Sequence, residues 1–125
     1  MVRIIAAGWL TFVVILSVSK SLGYGKWAWG SIEHFLGGNL QMHFVMAFIL
    51  SALAHLASSR FWHRGWLLML LITGCALDES VQFFFPLRNF NLLDFLVTCV
   101  GLLLAALPFM VAQWRILKKS YTPKR

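Results

Sequence analysis

A chain of 125 residues has room for one domain, yet this one is 60% hydrophobic and only 12% charged, against roughly a quarter charged in an ordinary soluble domain. So small a body cannot bury that much apolar surface, which excludes a soluble globular fold and leaves lipid to take the excess. The net charge of +7 does not point to nucleic acid either, because five of the eleven basic residues sit in the last eleven positions and the others separate apolar blocks, the usual placement in membrane proteins.

In chain order, the first apolar block covers residues 4–19. Its arginine, short apolar run and small residues at Ser17 and Ser19 also resemble a secretory signal. A retained helix is expected, because removing the block would leave three spans with the termini on opposite sides. Residues 20–39 hold five glycines, two tryptophans, a tyrosine and Glu33. That composition predicts an irregular interfacial segment with a short helix over 27–36, where amphipathic rings prefer to sit. Glu33 and His34 are expected to be solvated there.

Three further blocks follow at 40–57, 65–85 and 92–113, and each approaches the roughly twenty apolar residues that a spanning helix needs. His55, near the end of the second block, is read as an interfacial residue. Cys75 and Cys99 lie within apolar blocks and read as small hydrophobes, with no disulfide framework or metal spacing around them. No nucleotide-binding glycine motif or other cofactor motif is present, so no cofactor is expected.

Four spans predict an all-α, four-helix membrane bundle. The chain then divides into a first helix with its outer segment (1–39), a three-helix core (40–113) and a basic tail (114–125). One side carries Arg3, Arg60, Arg64, Arg115, Lys118, Lys119, Lys124 and Arg125, and the other Lys20, Lys26 and Arg88. The positive-inside rule then predicts both termini in the cytoplasm, in a multi-pass protein of the inner membrane. The tail is expected to lie on anionic inner-leaflet lipid.

Three of the four acidic residues, Asp78, Glu79 and Asp94, fall within or at the ends of apolar blocks. Ionisable groups at such depth are costly and normally face a protein interior, where they mark function. Gln82 is i+4 from Asp78 and i+3 from Glu79, so the three can share one helix face. Asp94 is followed at i+4, i+7 and i+11 by Thr98, Gly101 and Ala105, a stripe of small residues suited to close helix packing. His43 lies one turn into the second block and Arg88 in the short turn between the third and fourth. Topology alone therefore brings His43, Asp78, Glu79, Gln82, Arg88 and Asp94 to one depth near the outer surface. Arg88 is expected to pair with Asp94 or Glu79.

The stretch DESVQFFFPLRNFNLLDFLVTCVG, with Asp78, Glu79, Gln82, Pro86, Arg88, Asp94 and Gly101 in order, resembles the core motif of VanZ-like membrane proteins. MHFVMAFILSAL resembles the family's earlier helix, which opens on a histidine, here His43. The resemblance covers about residues 40–107. It departs at Leu87 and Thr98, where the family usually has glycine and asparagine. It implies a four-helix membrane protein and, through the family's namesake, a link to resistance to the glycopeptide teicoplanin.

Several functions fit the polar cluster. It can be a site for a membrane lipid, or for a lipid-linked envelope precursor or a glycopeptide. Arginine would there pair phosphate and carboxylates would bind hydroxyls or a divalent cation, and a buried Glu79 would allow acid–base chemistry. It can instead be a clamp that fixes helix geometry. An ion or proton path is a third reading, opposed by the lack of carboxylate, lysine or arginine in the inner half of any block. No spacing supports a resident metal.

Overall fold

The computed structural model describes residues 1–58, 64–86 and 91–121. Among these it is all-helical, with α1 (Val2–Leu22), α2 (Lys26–Leu36), α3 (Asn39–Ala57), α4 (Arg64–Gln82) and α5 (Leu92–Tyr121). Helices suit such apolar runs because lipid offers no partner for backbone N–H and C=O groups, which a helix pairs internally.

Glycines set the two turns that flank α2. Gly23 ends α1 at φ 76°, a left-handed value that glycine adopts without strain. The Tyr24 N–H then folds back to donate to the Ser19 carbonyl at 2.9 Å. Gly37, at φ 94°, ends α2 the same way, and the Gly38 N–H donates to the Glu33 carbonyl at 2.8 Å. The short helix expected over 27–36 is thus α2, which packs beside α3.

α3 and α5 make the most extensive interface, with α1 packed on α3 and α4 packed mainly on α5. Their paired residues rise together along both chains: Asn39 with Asp94, Ser51 with Leu102, His55 with Phe109. α3 and α5 therefore run parallel. α1 is antiparallel to α3, since Trp9 Nε1 donates to the Met46 carbonyl and Lys20 Nζ to Asn39. α4 is antiparallel to α5, through Arg64 with Phe109 and Glu79 with Asn91. The ends of α1 and α4 and the starts of α3 and α5 thus share one end of the bundle.

The small stripe of α5 faces α3, not the α4 to which a short turn joins it. An ideal Cβ on Gly101 would stand 2.7 Å from the Phe44 carbonyl oxygen and 3.3 Å from the Ala47 Cβ. Ala105 and Ala106 are buried beside it, and Ala47, Leu68, Leu102 and Ala106 form the core. Most large apolar side chains point outward instead, among them Ile4 at 77% and Leu70 at 68% exposure, as in a protein solvated by lipid.

Among the described residues, three helices are long and apolar enough to cross a membrane: Val2–Leu22, Asn39–Ala57 and Leu92–Ser120. The chain is thereby a membrane protein by length and composition. α4 is not among the three: Asp78, Glu79 and Gln82 lower the mean hydropathy of its 19 residues. α5 passes residue 113 as one 30-residue helix with Pro108 inside it.

Candidate functional site

Asn91 caps α5, its Oδ1 accepting from the Leu93 N–H at 3.1 Å. Its own N–H reaches across to Glu79 Oε1 of α4 at 3.3 Å, and its Nδ2 donates to Asp94 Oδ1 at 3.2 Å. The other Asp94 oxygen accepts from Asn39 Nδ2 of α3 at 2.7 Å. Asn39 Oδ1 in turn accepts from Lys20 Nζ of α1 at 2.6 Å, and Lys20 pairs with Glu33 of α2 at 3.1 Å. One polar chain therefore joins all five helices at this end.

His43 adds a second link between α3 and α5. The Thr98 hydroxyl donates to the Asp94 carbonyl at 2.8 Å, so it can only accept from His43 Nδ1, 3.3 Å away. Nδ1 therefore carries a proton. Nε2 of the same ring lies 3.8 Å from Asp94 Oδ2, where protonation of the ring would add charge attraction.

Asp78 and Gln82 stand on the α4 side. Ser17 of α1 donates to both Asp78 oxygens at 2.7 and 2.8 Å, and Gln82 Nε2 donates to Asp78 Oδ2 at 2.8 Å. Glu79, Gln82 and Asp94 are buried, at 5%, 1% and 6% exposure, although all three are polar.

Between α1 and α4, over the face of α3, lies a cavity of about 100 Å³. Its walls are apolar, with Val13, Leu16, Met46 and Leu50. Its polar end holds Ser17, Lys20, His43, Asp78, Glu79 and Thr98. At roughly 150 Å³ an apolar cavity holds a benzene ring, so this one admits a short length of chain or a small head group and no sugar ring beyond its mouth. Among the described residues no group of three or more His, Cys, Asp and Glu could hold a metal ion.

Of the residues singled out in the sequence, His43, Asp78, Glu79 and Thr98 line this one cavity. Gln82 and Asp94 are hydrogen-bonded beside it. Gly101 and Ala105 lie below, in the α3–α5 seam. Arg88 falls outside the described residues. Glu33, expected to be solvated, pairs with Lys20 because α2 folds back against the bundle.

The cavity and its network also use Ser17, Lys20, Asn39 and Asn91, which sequence reading did not assign to the site. Asn91 had a signal, since Asn-x-x-Asp before an apolar run is a helix-start pattern. Lys20 and Asn39 had none, being polar residues at helix ends, and neither had Ser17, a small residue inside an apolar helix. His55, read as interfacial, is buried at 1% exposure and stacked on Phe109. Its Nδ1 donates to the Ser51 carbonyl at 2.8 Å.

The chain matches no protein-family model, no curated protein and no solved structure.

Proposed function

We propose that this is a multi-pass protein of the cytoplasmic (inner) membrane that binds a cell-envelope amphiphile, a lipid or lipid-linked precursor, in the cleft between α1 and α4. The observation that carries the reading is a cavity with apolar walls and one hydrogen-bonding end, the polarity profile of a lipid lying in one leaflet. In this reading α4 is the fourth crossing. Its 19 residues span about 28 Å at about 1.5 Å per residue, close to the hydrocarbon thickness. Both termini are cytoplasmic, as the eight-to-three distribution of basic residues favours, and the polar end of the cleft faces outward.

The VanZ-like motif residues support kinship with that family, and with it a role in tolerance of glycopeptides such as teicoplanin. Glu79→Gln tests the binding reading, because glutamine retains an acceptor for the Asn91 amide but removes the charge. The expected result is loss of co-purified lipid, and of any teicoplanin tolerance conferred on expressing cells, with expression and melting temperature near wild type.

A second reading is favoured by the polar chain that ties five helices together: the cluster acts only as a clamp. Glu79→Gln would then lower the melting temperature in step with every other loss, and lipid would not co-purify with the wild type.

A further inference from the structure

Lys20, His43, Asp78 and Glu79 are the ionisable nitrogen and oxygen groups along the cavity. Lys20 Nζ pairs with Glu33 Oε2 at 3.1 Å, His43 Nε2 stands 3.8 Å from Asp94 Oδ2, and Glu79 Oε1 accepts from the Asn91 N–H at 3.3 Å. Asp78 is held differently. Its two oxygens accept from the Ser17 hydroxyl at 2.7 and 2.8 Å, and Oδ2 also accepts from Gln82 Nε2 at 2.8 Å. Both donors are uncharged, and Asp78 has no lysine, arginine or histidine in ion-pair contact among the described residues. Lys20 stands one turn beyond Ser17 on α1, yet its ammonium reaches Glu33 and Asn39 instead.

Glu79 is 5% exposed, whereas Asp78 is exposed and part of the cavity wall, so a molecule held there touches it. A carboxylate offers about four acceptor positions, which one hydroxyl and one amide hydrogen do not fill. At the end of an apolar helix a carboxylate without a counter-charge is costly, and a cation from outside the protein removes that cost.

We infer that the amphiphile in the cleft carries a primary ammonium, which donates to the Asp78 carboxylate and supplies its counter-charge, while the chain lies along Leu16, Met46 and Leu50. This rests on the amphiphile reading above and specifies its head group. A charge-assisted hydrogen bond is about twice as strong as a neutral one, so Asp78 sorts head groups by charge and the apolar walls do not.

Dioleoyl phosphatidylethanolamine and dioleoyl phosphatidylglycerol share their chains and phosphodiester, and only the first carries an ammonium. Delipidated full-length protein in detergent is titrated with each, and bound lipid is counted by native mass spectrometry. The wild type should hold phosphatidylethanolamine about tenfold more tightly, near the lower end of what a hydrogen bond to a charged group is worth. Asp78→Asn, which keeps an acceptor for Ser17 and loses the charge, should bring the two lipids close to parity. A carbodiimide joins a carboxylate to an amine in contact with it. It should therefore couple phosphatidylethanolamine to Asp78 of the wild type, a readout that stands even where Asp78→Asn does not fold.

Equal binding of the two lipids by the wild type, or tighter binding of phosphatidylglycerol, would overturn the ammonium inference and leave the amphiphile reading standing. A preference that survives Asp78→Asn, or coupling confined to other carboxylates, would overturn Asp78 as the acceptor. Failure of both lipids to bind would overturn both readings. Free ethanolamine competing as well as the lipid would show a site for a soluble amine and overturn the amphiphile class.

Discussion

Gly101 is a residue at which the backbone of α5 lies close against α3. Replacing it with alanine gains about 1 kcal/mol of helix propensity, but the new Cβ would stand 2.7 Å from a backbone oxygen of Phe44. Backbone on both sides leaves little room to yield, and overpacking of this kind costs about 1–3 kcal/mol. Gly101→Ala should therefore lower the melting temperature in detergent, and Gly101→Leu should lower it further. An unchanged value for both would mean that the helices part there at little cost. Asn91→Ala tests the other kind of residue, a cap that also holds Asp94. It should destabilise by about 1 kcal/mol, the usual worth of a helix cap, read as a fall in thermal midpoint. His55 shows where residue-level reading stops. Its place near the end of an apolar block says nothing of Phe109, which reaches it from a helix more than fifty positions away.

At the scale of the element, the four apolar blocks coincide with α1, α3, α4 and α5. The largest differences are the end of the third block, where the helix stops at Gln82, and the continuation of α5 to Tyr121. Hydropathy shows an apolar run and stops at its first charges, while helical backbone continues through Arg115, Lys118 and Lys119. Pairing was less legible than existence. Chain order suggests that α5 packs on α4, yet its small face meets α3, a choice made by shape complementarity between Gly101 and Ala47 and invisible to periodicity. Similarly, α2 was expected at the interface, but the Lys20 contact that ties it down was not. That contact is testable. Lys20→Met should speed amide hydrogen exchange in α2, residues 26–36, while exchange in α3 and α5 stays near wild type. Equal acceleration throughout would mean that Lys20 holds the whole bundle together.

For the whole molecule, two parallel central helices carry α1 and α4 on their flanks, and the cleft between the flanking pair has its hydrogen-bonding groups at one end. This arrangement gives the cluster its character. The same carboxylates would be solvated in a loop, but in a lipid-facing bundle they need partners from neighbouring helices. The depth shared by His43, Asp78, Glu79 and Asp94 was legible from topology and spacing. The cavity was not, because it depends on how far apart α1 and α4 stand. The proposed orientation has its own check: a cysteine at Asn89 should react with an impermeant thiol reagent in intact cells, and one at the C-terminus should not. The reverse pattern would invert the molecule.

Occupancy of the cleft by lipid is the claim on which the rest depends, and the methionines allow it to be measured directly. Met42 and Met46 line the cavity, whereas Met69 is 60% exposed on the outer surface of α4. Protein carrying a photoreactive methionine analogue is purified through a delipidating detergent, irradiated, and its lipid adducts are mapped by tandem mass spectrometry. A lipid retained in the cleft should give an adduct at Met42 or Met46 after adducts at Met69 have been washed away. Adducts confined to Met69, or none at all once bulk lipid is removed, would contradict it.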